Sequence, residues 1–184
     1  EKDDPKSYYS VARRLSEEIP NAWYPDQYSN QSNPLAHVIS TGPEIWRQTK
    51  GEITHFVATM GTGGTISGCA KALKNLADNE GKKHPKVIGV DAIGSILKEY
   101  FEDGTIGEPH TYAVEGFGED FIPTATDFSL IDEILAVNDE DCFRMARRLA
   151  KQEGLFCGGS CGGALKIALD IAEKMDAENM KAKV

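Results

Sequence analysis

Residues 53–68, ITHFVATMGTGGTISG, followed at 86–91 by KVIGVD, hold the reading that decides the fold. Ile53 to Met60 is a mostly apolar, β-branched run that reads as a strand. Gly61 to Gly64 forms a tight glycine loop, and Thr65 to Leu76 has the composition of a helix. After the charged turn Asp78 to Lys83, Lys86 to Asp91 reads as a second strand. Strand, glycine turn, helix, strand is the order of a parallel β-α-β crossover, expected to be right-handed. The turn Gly61-Thr62-Gly63-Gly64-Thr65 opens the helix, where unpaired N–H groups and the positive end of the helix dipole face outward. No Lys follows the last glycine, and the spacing is not GxGxxG, so neither nucleotide-loop pattern is met. A small phosphate monoester suits it better; the competing reading is a tight turn needing positive φ.

Working outward, the 184 residues carry 20 Lys+Arg against 29 Asp+Glu, a formal charge of −9. An isoelectric point near 4.9 makes nucleic acid and anionic membrane poor partners, because phosphate binding relies on clustered cations. No apolar run approaches the ~18 residues of a membrane span, and EKDDPKSYY lacks the basic and apolar regions of a signal peptide. Cys69, Cys142, Cys157 and Cys161 show neither zinc-site spacing nor a disulfide framework, so the expected setting is reducing and cytoplasmic. His37, His55, His84 and His110 have no metal-ligand spacing and read as structural or solvated. At this length one real core can be buried, and the absence of repeats and low-complexity linkers favours a single domain over 1–184.

Elsewhere, Ser10 to Ile19 reads as an amphipathic helix ended by Pro20 and Asn21. A polar loop, Tyr24 to Asn33, precedes a helix around Pro43 to Gln48. Residues 94–123 are rich in glycine and proline, with one short strand expected at Tyr112 to Glu115. Asp139 to Glu153 reads as a helix with Asp139 as N-cap and Cys142, Phe143, Ala146, Leu149 and Ala150 on its apolar face. A second glycine turn, Gly158 to Gly163, precedes a helix from Ala164 to Met175. Ser160 is its one good hydroxyl, able either to face a ligand or to cap that helix. Cys161 reads as a small packed side chain.

Taken together, DQYSNQSNPLAH (26–37), TGPEIWRQT (41–49), ATMGTGGTISG (58–68), VIGVDAIGSIL (87–97), VEGFGEDFIPT (114–124) and EGLFCGGSCGGAL (153–165) resemble the cysteine synthase/cystathionine β-synthase family of pyridoxal-phosphate enzymes, in the family's order and over nearly the whole chain. The acidic form VEGFGEDFIP (114–123) is more similar to the cystathionine β-synthase branch, especially its bacterial members. The resemblance implies an α/β, three-layer Rossmann-like fold with a mostly parallel sheet. It implies that Gly61, Thr62, Gly63, Gly64 and Thr65 hold the phosphate of pyridoxal 5'-phosphate. Ser160 would hydrogen-bond the pyridine nitrogen, leaving it largely unprotonated and the ring a milder electron sink. Gln27 and Tyr28 would lie at the substrate carboxylate, and Glu115 and Gly116 would border the second substrate's site. For Glu115 two readings stand: a receiver of the homocysteine amino group, or a solvated surface acid.

The family's Schiff-base lysine belongs to a segment resembling S-x-K-[DN]-R, which this sequence does not contain, and Lys183-Val184 falls just before the strand leading to the family's P-D-[SG] segment. The expectation is an internal catalytic-core portion of a larger enzyme, inactive alone, with no catalytic lysine of its own. The implied reaction condenses L-serine, or an activated serine, with homocysteine to give cystathionine. The alternatives are a cysteine synthase using O-acetylserine and sulfide, and a non-catalytic remnant that binds phosphate. Small amino acids are the implied ligands, and a homodimer the implied state of the full-length enzyme.

Overall fold

The computed structural model describes residues 4–178 and 180–184. Three parallel strands, β1 (His55–Thr59), β2 (Lys86–Ala92) and β3 (Glu133–Val137), lie in the order β1-β2-β3. Val57 sits opposite Ile88, and Val90 opposite Leu135. From Val87 onward every residue of the central strand β2 is buried, as a near-continuous apolar run in a covered parallel sheet requires. Period-two alternation sorts its side chains onto two faces. Ile88, Val90 and Ala92 pack with Val137, Cys142 and Ile167. Val87 packs on the other face with Ile134, Ile66, Ala70 and Leu97. Ile66 and Ala70 belong to α4 (Gly64–Asn79) and Leu97 to α5 (Leu97–Asp103). Cys142 belongs to α6 (Asp139–Glu153) and Ile167 to α7 (Gly159–Ala177). Helices therefore cover both faces, and the fold is a three-layer α/β arrangement with a parallel sheet.

The expected β-α-β unit is present as β1, α4 and β2, with α4 three residues longer at its C-terminal end than read. Helix α1 (Tyr8–Glu18) is capped by Ser7, whose Oγ accepts from Ser10 N, and ends at Ile19 before the proline. Leu15 and Ile19, on the apolar side of this amphipathic helix, are exposed. The helix expected around 43–48 is the end of a longer one: α2 (Ser32–Ala36) runs through a π turn (His37–Thr41) into α3 (Gly42–Gln48). Pro34 is tolerated because it falls in the first turn, where its missing N–H has no intrahelical partner to lose.

Five points of the sequence reading need correction. Strand β3 was not read from the sequence at all, although Ile134 and Val137 are buried in the sheet. Tyr112 to Glu115 is irregular rather than a strand, because Asp139 satisfies its backbone: the carboxylate accepts from Ala113 N and Val114 N, each at 2.8 Å. Asp139 is consequently not the N-cap of α6. That place belongs to Asn138, whose Oδ1 accepts from Asp141 N at 2.8 Å. On α6 itself Met145, not Phe143, faces the core. Finally, α7 begins at Gly159, so the second glycine segment is helical rather than a turn. A Cβ on Gly162 would lie 2.0 Å from Cys142 O, so the glycine serves close packing of α7 on α6.

After α7 the backbone returns beside β1, where Thr54 N donates to Lys183 O at 2.9 Å. No helix among the described residues is long and apolar enough to cross a membrane.

Candidate active site

The loop 61–65 leaves the carboxyl end of β1 and enters α4, the position at which open parallel sheets bind ligands. Gly63 is the N-cap of α4 at φ +77°, in the left-handed region. A Cβ there would lie 1.7 Å from Thr126 Oγ1, and one on Gly64 would lie 2.0 Å from Asn33 Oδ1. Both glycines are thus required by the protein's own packing, which adds to their expected role of letting an anion approach. Thr62 Oγ1 accepts from Asn33 Nδ2 at 3.1 Å and from Gly64 N at 3.3 Å. Thr65 Oγ1 lies 3.2 Å from His37 Nε2, so His37 supports the loop rather than standing as a solvated residue.

Among the described residues no acceptor meets the backbone N–H of Thr62, Gly63, Thr65 or Ile66. Four unpaired donors at the start of a 16-residue helix are a fitting seat for a phosphate group.

The second wall is the segment 114–120, held against the first. Gly118 N donates to Met60 O at 2.7 Å, and a Cβ on Gly61 would lie 3.2 Å from Gly116 O. Between the walls is a cleft of about 1160 Å³. Gln27, Tyr28, Glu115 and Gly116 line it together with Gly61, Thr62, Gly63 and Thr65. Gly64 does not line it and is buried.

Ser160 borders an adjoining cavity of about 470 Å³ that shares Glu115 and Gly116 with the cleft. Its Oγ lies 3.7 Å from the Cβ direction of Gly116. Ser160 is the second residue of α7; the N-cap is Gly158, with no side-chain capping bond. The capping alternative is therefore excluded, and its hydroxyl is available at the rim of the cavity. Glu115 is exposed, while Gln27 is exposed and Tyr28 half-buried.

Three cleft residues carried no signal in the sequence: Tyr8, Tyr9 and Glu119. Tyr9 Oη donates to Glu119 Oε2 at 2.9 Å and lies 3.2 Å from Tyr28 Oη, while Tyr8 Oη lies 2.6 Å from Tyr28 Oη. The rings of Tyr9 and Tyr28 both rest on Phe121, with centroids 5.3 Å away in each case. Desolvation, reinforced by the hydroxyl bonds and the Glu119 charge, pushes the Tyr9 phenol far above its usual range. Burial likewise pushes the Glu119 carboxyl up to about 7. Tyr8 and Tyr9 open helix α1. Nothing in their spacing ties Tyr9 to a residue 110 positions away.

A parallel α/β sheet with an anion seat at the mouth of its β-α-β crossover defines the class, and the comparison with known families defines it further. The model of the family described as pyridoxal-phosphate dependent enzyme matches residues 2–182, and the chain belongs to that family. The cofactor of this family is pyridoxal phosphate. Among curated relatives, the chain is 47% identical over 174 residues to a cystathionine beta-synthase of Apis mellifera, covering 95% of this chain and 33% of that protein. It is 40% identical over 168 residues to the "O-acetylserine dependent cystathionine beta-synthase" of Bacillus subtilis, covering 90% and 50%. It is 39% identical over 153 residues to a cysteine synthase of Buchnera aphidicola, covering 83% and 47%. The chain thus spans a third to a half of the length of these relatives.

Proposed function

We propose that this chain is the catalytic-core portion of a pyridoxal-phosphate enzyme that replaces the β-substituent of serine, or of an activated serine, with the thiol of homocysteine to give cystathionine. The observation that carries the reading is convergence. The unpaired N–H groups of the 61–65 loop, the Gln27–Tyr28 wall and the Glu115–Gly116 wall meet in one cleft at the carboxyl end of a parallel sheet. The names of the relatives support the same chemistry.

When bound, the cofactor withdraws electrons from the substrate α-carbon so that its β-substituent can leave. The chain's own residues do the rest. The N–H groups of Thr62, Gly63, Thr65 and Ile66, with the Thr65 hydroxyl, would hold the phosphate. Ser160 would meet the ring nitrogen with a neutral hydroxyl. Gln27 would orient the substrate carboxylate beside Tyr28, and Glu115 and Gly116 would border the entry of the second substrate. Among the described residues no lysine lines the cleft, so in this reading the covalent anchor comes from another part of the protein. A homodimer is the proposed assembly of the whole enzyme.

The test feeds the full-length protein, loaded with pyridoxal phosphate, serine or O-acetylserine with homocysteine, and separately O-acetylserine with sulfide. Product mass then decides: cystathionine from the first set supports the proposal, cysteine alone from the second supports the cysteine synthase reading. Cofactor bound with no product from either set would leave only a phosphate-binding remnant.

Ser160 offers a sharper probe. Ser160→Ala should weaken cofactor binding by one hydrogen bond, about fivefold to tenfold, and slow turnover. Ser160→Asp should form a charge-assisted bond to a protonated ring nitrogen, so it should retain the cofactor while turning over poorly. Fluorescence titration with pyridoxal phosphate beside a turnover assay reads both; wild-type behaviour in both variants would remove Ser160 from the site.

A further inference from the structure

Among the residues lining the cleft, Glu119 is the one buried carboxylate, 7% exposed. Its backbone is clamped to the turn between β2 and α5: Glu119 N donates to Ser95 Oγ at 2.9 Å, and its carbonyl accepts from Ser95 Oγ and Ile96 N, each at 3.1 Å. The side chain has only hydroxyl donors. Tyr9 meets it directly and Tyr28 stands behind, and among the described residues no Lys, Arg or His pairs with it. A buried carboxylate ordinarily has a cationic partner, because an unpaired buried charge is costly. Glu119 lines the cleft, so a cationic group bound there would meet its carboxylate.

We propose that Glu119 receives the ammonium group of an amino-acid nucleophile in the cleft, and so sets the preference for a thiol that carries an amine over one that lacks it. The inference rests on the thiol-acceptor reading above. It places the role on a buried, pinned carboxylate in preference to Glu115, which is exposed at the rim. Tyr9 is then a positioning residue, holding the carboxylate through its 2.9 Å bond.

The groups facing Glu119 fix the pH sign. Desolvation raises its pKa most, and Asp120 beside it and Asp91 on β2 raise it further, while the hydroxyls of Tyr9 and Tyr28 lower it. The Tyr112 phenol, also in the cleft wall, is itself pushed up by burial and stays neutral. With a value of about 7, the carboxyl is neutral and unable to pair below that pH, and charged and able to pair above it. Affinity for an amine-bearing thiol therefore rises with pH through about 7.

The test compares homocysteine with 4-mercaptobutyrate, which has the same thiol, chain length and carboxylate but no amine, as second substrates of the full-length enzyme. Wild type should favour homocysteine by tenfold or more in 1/KM, with a pH limb near 7 that 4-mercaptobutyrate lacks. Glu119→Gln should raise the homocysteine KM about tenfold to a hundredfold and erase the limb. Tyr9→Phe removes a donor that favours the carboxylate, so the limb should move to higher pH, a change that lost packing alone would not produce. The assignment falls if Glu119→Gln keeps both preference and limb, or if Glu115→Gln, rather than Glu119→Gln, abolishes them. Product from neither thiol in a cofactor-loaded enzyme would refute the thiol-acceptor reading, and this proposal with it. Product from homocysteine with an unaffected Glu119→Gln would refute this proposal alone.

Discussion

Gly63→Ala should destabilise the protein by about 4 kcal/mol, more than its single added methyl group would suggest. Two costs act together. At φ +77° an L-residue is strained, and its Cβ would stand 1.7 Å from Thr126 Oγ1 and 2.8 Å from Thr126 Cα. A loop shaped only for a ligand would show the opposite pattern, with stability kept and affinity lost. Urea unfolding of the variant measures the loss, and Gly63→Ala with Thr126→Gly should recover the part due to overlap but not the part due to φ. Thr65→Val tests the ligand role at the cost of one exposed hydrogen bond to His37. Thr65 is exposed, so its stability should stay within about 0.5 kcal/mol of wild type, while pyridoxal phosphate affinity falls. Wild-type stability of Gly63→Ala would show that the loop tolerates a side chain and that the packing account is wrong.

Asp139→Ala should cost about 3 kcal/mol, the second large effect. The carboxylate accepts from both Ala113 N and Val114 N, and Val114 is 2% exposed, so its N–H would lose its acceptor in a place poorly reached by water. The same group adds negative charge to the first turn of α6, at the positive end of the helix dipole. Its loss should also free the segment 114–120, which forms one wall of the cleft. Hydrogen exchange at Ala113 and Val114 should accelerate, while the amides of β2 stay protected. Asp139→Asn, which keeps one acceptor oxygen, should fall between the two. Unchanged exchange at both amides in Asp139→Ala would mean that this carboxylate does not hold the wall.

How much could be read without the fold depended on how local each interaction is. The β1–loop–α4–β2 unit, helix α6 to the residue, and the helix-start donors proposed to hold a phosphate were all legible, because glycine spacing, helical periodicity and helix-start donors act within one turn or one crossover. The family motifs along the chain pointed to pyridoxal phosphate for the same reason: each is a short run whose residues stay neighbours. Strand β3 was not legible, since EILAV (133–137) is too short to be told from a loop by periodicity, and its burial comes from pairing with β2, 45 residues earlier. Asn138 and Asp139 compete for one cap. Only the approach of residues 113–114 shows which side chain caps the helix and which holds the loop. For Ser160 local rules favour a helix cap, and only the start of α7 at Gly159 places it inside the helix. Glu119 looked like any other acid of an acidic chain. Its burial, its clamp to Ser95 and its bond to Tyr9 come from segments 24 and 110 residues away, and desolvation raises its pKa to about 7 despite the Tyr9 hydroxyl, which lowers it. Local sequence determined the first β-α-β unit, with its loop of helix-start donors, and most of the helices; the tertiary structure alone decided which carboxylate is desolvated, because desolvation depends on what packs around a group rather than on what precedes it in the chain.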